Sequence, residues 1–235
     1  MNSNIPPKKL DFSTIIASSV HDMKNSLQLL LGTLDEIIDE HPVDAQSGAK
    51  ILRAQAEGRR INDQLIQLLT LYKAGNTQHR LQSHEHSVDE FLQELYVEHQ
   101  AVLAQRSIEL SVKCDEALQW FFDRELLKGV INNLITNAQQ YTNNKIQLSA
   151  VINEKRLLLS VDDNGPGYPE TMLRCYNAED EFTPGDSSAE TGGTGLGLFF
   201  SATIAHMHKN RTQCGFLQTS NEGIDGGARC IIALP

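Results

Sequence analysis

Gly192, Gly193, Gly195 and Gly197 fall within six residues, immediately ahead of the apolar run that begins at Leu198. Glycines that open a helix leave free backbone amides at the positive end of the helix dipole, an arrangement that holds phosphates. The run lacks the Gly-Lys-Ser/Thr of a P-loop and does not follow a first strand as a dinucleotide-binding GxGxxG does. Upstream, RLLLSVDD runs directly into NGPG, so Asp163 stands at a predicted strand end beside Gly165 and Gly167. Glycine there lets backbone approach a flat ligand closely, and the carboxylate can accept from an exocyclic amine such as that of adenine. Asn133 and Asn137 stand four apart and share one helix face, where amide oxygens could ligate a Mg²⁺ that bridges a triphosphate. Singly, each pattern is also an ordinary turn, helix start or polar helix surface. Their order along one chain makes them a nucleotide site.

A second centre of chemistry lies far from the first in sequence. His21 falls one position after the apolar Val20, so its imidazole flanks a packed stripe and reaches solvent. The adjacent Asp22 can accept a hydrogen bond from one ring nitrogen and leave the other as the nucleophile. A His-Asp pair on a helix surface is by itself usually solvated charge, and the nucleotide site downstream gives it meaning.

The elements that must position these residues follow from periodicity. Ile16, Val20, Met23, Leu27, Leu30, Leu34 and Ile37 recur in steps of four and three, predicting one helix from about Asp11 to Glu40, in which Gly32 is the only glycine or proline. After HPVDAQ the same spacing returns through Ile51, Ala54, Gly58, Ile61, Leu65, Leu68 and Tyr72. The two helices form an antiparallel hairpin, and Leu31, Ile38, Leu69 and Leu71 widen its stripe beyond what one partner helix covers. That width predicts a homodimeric four-helix bundle. The polar stretch KAGNTQHRLQSHEHS marks a boundary near residues 73–86, giving an N-terminal tail (1–10), a helical domain (11–74), a linker (75–86) and a second domain (87–235). In that domain Ser87 and Glu90 form a capping box, Ile108, Leu110 and Val112 alternate as a strand, and Asp123 caps the helix carrying NNLITNAQQY. KIQLSAVIN and RLLLSVDD are strands, and residues 168–191 form a long irregular connection of the lid type.

Composition sets the outer bounds. The chain has 235 residues with a net charge of -10, which repels phosphate backbones and so excludes nucleic acid as a natural partner. No run approaches the roughly 20 apolar residues of a membrane span, and MNSNIPPKKL has no apolar signal core, which reads as a cytoplasmic protein. Cys114, Cys175, Cys214 and Cys230 show no metal-ligand spacing, and His79, His84 and His86 do not complete a recognisable ligand set.

Taken together, the motifs closely resemble the histidine kinase catalytic core from about residue 10 to Pro235. HDMKN resembles the phosphoacceptor box, NNLITNAQQYT the asparagine box, VDDNGPG the first glycine box, Phe182-Thr183-Pro184 a lid phenylalanine box and GGTGLGL the second glycine box. The resemblance implies an α+β multidomain chain: the dimeric helical hairpin, then an α/β sandwich ATP-binding domain with a mixed sheet and three helices. It implies that ATP is the phosphoryl donor, His21 the acceptor and Asp22 its acid-base partner. It places ATP against Asn133, Asn137, Tyr141, Asp163, Gly165, Gly167, Gly193, Thr194, Gly195, Leu196 and Gly197, with Mg²⁺ on Asn137. Asp22 with Asn25 matches the pair that hydrolyses a partner's aspartyl phosphate, implying phosphatase activity as well. The implied partners are a second copy, the receiver domain of a response regulator and a separate sensor protein.

Some positions depart from the pattern. Ser26 stands where a proline usually bends the first helix, Gln140 where a basic residue often meets the phosphates, and Lys209-Asn210 where two glycines commonly follow His208. Asn133 occupies the position of the water-activating glutamate of related ATPases, which favours a transferase over a hydrolase. Two other readings share parts of the sequence. A non-catalytic phosphotransfer or scaffold protein would keep the hairpin with a decayed nucleotide site, and an ATP-driven ATPase or anti-sigma serine kinase would not need the hairpin.

Overall fold

The computed structural model describes residues 12–40, 45–75, 81–176 and 196–235. Its contacts divide the chain into residues 1–76 and residues 77–235.

The first unit is a hairpin of α1 (Phe12–Glu40) and α2 (Ala45–Gly75). The heptad stripe divides in two. Val20 is buried and Leu27 and Leu34 are half-buried, as are Ile51 and Leu65 on α2. Gly58 fits among them because a Cβ there would lie 2.8 Å from the Leu31 Cδ2 and 3.8 Å from the Leu27 Cδ1. The alternate positions Met23, Leu30 and Ile37 on α1, with Ala54, Ile61 and Leu68 on α2, are exposed. Residue 26 does not break α1. Ser26 Oγ donates to the Asp22 carbonyl at 3.0 Å, back-bonding within the helix, whereas a proline would have removed an amide and clashed with that carbonyl.

The second unit is a six-stranded mixed sheet carrying helices on one face. Its strands, in spatial order, are β2 (Glu109–Lys113), β4 (Lys145–Asn153), β5 (Arg156–Asp163), β10 (Arg229–Leu234), β9 (Phe216–Ser220) and β6 (Cys175–Tyr176). β2 and β4 are parallel and the remaining pairs antiparallel. The helices are α3 (Val88–Gln105), α4 (Arg124–Tyr141) and α5 (Leu196–Met207). Among the described residues it also has two short ribbons: β1 (His84–Ser87) with β3 (Gln119–Phe122), and β7 (Lys209–Asn210) with β8 (Gln213–Cys214). β1 lies partly inside the stretch read from sequence as linker. Its partner β3 is distant in sequence, so the pairing has no local signature.

Local chemistry explains the helix starts. Ser87 Oγ accepts from the Glu90 amide at 3.3 Å and Asp123 Oδ1 from the Leu126 amide at 3.1 Å, both N-caps. The core lies between sheet and helices, where Leu92, Leu95, Leu127, Ile131, Leu134 and Ile135 meet Ile146, Leu148, Leu157, Leu159 and Ile232. Among the described residues no helix is long and apolar enough to cross a membrane.

Candidate nucleotide site

Helix α4 is the spine of the site. Its exposed end is the C-terminal turn, where the Tyr141 carbonyl closes against the first glycine turn: a Cβ on Gly165 would lie 2.4 Å from that oxygen and 3.0 Å from Asp163 Oδ1. Any side chain at 165 would collide with the Tyr141 backbone, so glycine is what lets the turn close on the end of α4. Asp163, at 5% exposure, ends β5 and accepts from the Gly165 amide at 2.7 Å through Oδ1. Burial is the main cause that raises its carboxyl above the usual carboxylate range, and the Gly165 and Ala228 amides oppose it. A buried carboxylate with few protein donors suits an amine-bearing ligand.

Asp162, the other carboxylate of the pair, points to the opposite face of the sheet as strand alternation requires. There Arg229 Nε and Nη2 hold it at 3.0 and 2.8 Å. The turn after Asp163 is fixed from two sides. Asn164 Oδ1 accepts from Thr142 Oγ1 at 2.9 Å and from the Asn144 and Lys145 amides at 3.0 Å. Gly167 has φ +82°, the left-handed region that favours glycine. Beyond it Asn221 Oδ1 accepts from the Tyr168 amide at 2.6 Å, while its Nδ2 donates to the Tyr168 carbonyl at 3.0 Å.

Two turns back along α4, Asn133 meets the start of α5. Its Nδ2 donates to the Gly197 carbonyl at 2.9 Å and to Ser201 Oγ at 3.1 Å. Asn137 lies between these ends, about 6 Å along the axis from each, and is half-buried. The structure therefore brings Asn133, Asn137 and Tyr141 into one line, with Asp163 and Gly165 at one end and Gly197 at the other. Leu196 opens α5. Gly192, Gly193, Thr194, Gly195 and Phe182-Thr183-Pro184 lie outside the described residues. His21, Asp22 and Asn25 lie on α1 in the other unit, where Asp22 and Asn25 are exposed.

Sequence reasoning missed Asn164, Asn221 and Ser201. Asn164 sits inside NGPG and was within reach as a turn-forming asparagine. Asn221 and Ser201 had no signal, because their partners are remote or one helical turn away on a neighbouring element. His84 and His86 lie on β1, and among the described residues no group of three metal-ligating side chains forms.

Residues 122–235 match the family of histidine kinase-, DNA gyrase B-, and HSP90-like ATPases. The sensor protein SrrB of Staphylococcus aureus is 25% identical over 240 residues, covering 99% of this chain and 39% of its own length. The second unit carries a domain of this ATPase family, and the relatives support a two-component histidine kinase catalytic core in this chain. Its fold is shared by the Acinetobacter baumannii histidine kinase AdeS, with a TM-score of 0.59 at 22% identity over 91% of this chain and 96% of that one. The histidine kinase ThkA, in a structure titled as its complex with the response regulator protein TrrA, gives a TM-score of 0.59 at 22% identity over 93% of this chain and 60% of that one. The chain spans well under half the length of the curated relatives it matches. The line from Asp163 through Asn137 to Gly197 is the candidate nucleotide site of the second unit, and a buried carboxylate at its end has the chemistry to accept from an amine-bearing base.

Proposed function

We propose that this chain is a cytoplasmic histidine kinase that phosphorylates His21 from ATP and passes the phosphoryl group to a response-regulator aspartate. The observation that carries the reading is Asp163. It is a buried carboxylate at a strand end, beside a glycine whose Cβ would collide with the Tyr141 carbonyl, so that the turn packs directly on the end of α4. In this reading Asp163 accepts from the exocyclic amine of adenine. Gly165 and Gly167 let the backbone approach the base, and Tyr141 flanks it. Gly193, Thr194, Gly195, Leu196 and Gly197 offer amides to the phosphates. Asn137 would hold Mg²⁺, which neutralises charge on the phosphates.

The chemistry at His21 is a nucleophilic displacement. One imidazole nitrogen forms an N–P bond to the γ-phosphorus, the bond from that phosphorus to the β,γ-bridging oxygen breaks, and ADP leaves. Asp22 orients the ring and, as general base, takes up the proton from the other nitrogen as charge develops. In the second step a receiver-domain carboxylate oxygen takes the phosphoryl group and the N–P bond breaks. A complex of ThkA with a response regulator, named above, supports such a partner.

Dimerisation is part of the reading. The exposed stripe of Met23, Leu30, Ile37, Ile61 and Leu68 fits a second hairpin that would complete a four-helix bundle. Input would come from a separate sensor protein. Asp22 and Asn25, one turn apart on α1 and both exposed, suit a phosphatase step in which Asn25 orients the attacking water.

The test is direct. The protein incubated with ATP and Mg²⁺ is expected to accumulate acid-labile, base-stable phosphate, and His21→Gln to accumulate none. Label retained by His21→Gln would overturn the assignment. Asn25→Ala is expected to keep autophosphorylation and lose phosphatase action on the phosphorylated regulator, and unchanged phosphatase action would exclude that role.

A further inference from the structure

Gly197 stands in the first turn of α5, and its lack of a side chain is used by a neighbouring helix. Its place is explained by a neighbour on another element. A Cβ at 197 would lie 2.6 Å from Asn133 Oδ1 and 3.0 Å from Asn133 Nδ2. The amide of Asn133 is seated on the bare backbone of the first turn of α5. Ser201, at 0% exposure, closes the contact: its Oγ donates to the Gly197 carbonyl at 2.9 Å and accepts from Asn133 Nδ2 at 3.1 Å. Asn133 Nδ2 also donates to that carbonyl at 2.9 Å. One turn further back on α4, Gly129 lets the Phe200 ring come to 3.7 Å from where its Cβ would be. Each glycine thus admits a side chain of the facing helix, and the polar triangle of Asn133, Gly197 and Ser201 sets their register.

We propose that Asn133 and Ser201 are positioning residues that pin the first turn of α5 to α4. They thereby fix the α5 N-terminal end relative to Asn137. Asn137 lies one turn after Asn133 on the same helix face, so the pin couples two groups that must meet the same phosphates. This assigns Asn133 a task distinct from direct ligation, and gives Ser201, which carries no sequence motif, a part in nucleotide binding. The inference rests on the nucleotide reading above.

The pin acts on the phosphate end and leaves the base end, built from Asp163, Gly165 and Asn164, untouched. A purely structural role would weaken both ends together. The experiment therefore measures the affinity of the full chain for ATP with Mg²⁺ and, by competition, for adenosine alone. Ser201→Ala, which loses one hydrogen-bonding hydroxyl, is expected to weaken ATP about fivefold with adenosine unchanged. Asn133→Asp fills the same space but cannot donate, and sets a carboxylate against the Gly197 carbonyl. It is expected to weaken ATP about 30-fold, again sparing adenosine. It also carries the test should Ser201→Ala fail to fold, as judged by circular dichroism. Equal weakening of ATP and adenosine, or no change in ATP, would overturn the pin. Failure of the unmodified chain to bind either ligand would instead overturn the nucleotide reading, and the pin with it.

Discussion

Asp163→Asn separates binding from stability. Asp163 Oδ1 accepts from the Gly165 amide, and burial raises the carboxyl above its ordinary range. A carboxyl whose folded pKa is raised favours the fold only below its unfolded pKa, and that contribution is lost as pH rises through the folded value. At neutral pH the ionised Asp163 therefore opposes folding. Asparagine keeps an oxygen for the Gly165 amide and removes the buried charge, so the variant is expected to melt no lower than the parent at pH 7, and higher if nothing else shifts. Nucleotide binding moves the other way. The amide that keeps its oxygen on Gly165 presents its NH₂ where the second carboxylate oxygen stood, facing the amine of adenine donor to donor. Losing a charge-assisted hydrogen bond costs about 1.5–3 kcal/mol, roughly 10- to 150-fold in affinity. Isothermal titration with ATP and thermal melting by circular dichroism measure the two effects on one sample. An ATP affinity within threefold of the parent would refute the role of Asp163 as the base-reading carboxylate. A clear drop in melting temperature would refute the argument that its charge is a burden on the fold.

The remaining predictions concern acid stability and assembly. His208 is 3% exposed, its Nε2 accepting from the Asp123 amide at 3.1 Å and its Nδ1 lying 2.9 Å from the Ile204 carbonyl. That arrangement requires the neutral ring, and burial lowers its pKa below 6.5. Its stabilising contribution is therefore present above pH 6.5 and lost as pH falls from there toward the folded value, and denaturant melts between pH 7.5 and 5 should show this loss, diminished in His208→Gln. On α1, Leu30→Glu puts a charge into the exposed stripe twice per dimer. At about 1.5–3 kcal/mol per leucine removed from burial, dimer affinity should fall at least 100-fold by sedimentation velocity, and unchanged association would exclude this stripe as the interface.

The sequence by itself determined the elements and named the candidate site, because those signals are local. Heptad spacing marked α1 and α2, the Ser87 and Asp123 caps marked α3 and α4, and KIQLSAVIN and RLLLSVDD became β4 and β5 with the residues expected. Asp163, Gly165 and Asn137 were named from types and spacing alone, since a strand ending in a carboxylate beside glycine is a statement about adjacent residues. Only the tertiary structure decided what depends on residues far apart in the chain. It paired β1 with β3, turned Asp162 onto Arg229 while leaving Asp163 at the site, and joined Asn133 to Gly197 and Ser201. It also divided one heptad stripe into a half covered by α2 and a half left open. Periodicity states that a residue is apolar and on a given face; which surface covers that face is settled only when the chain closes on itself.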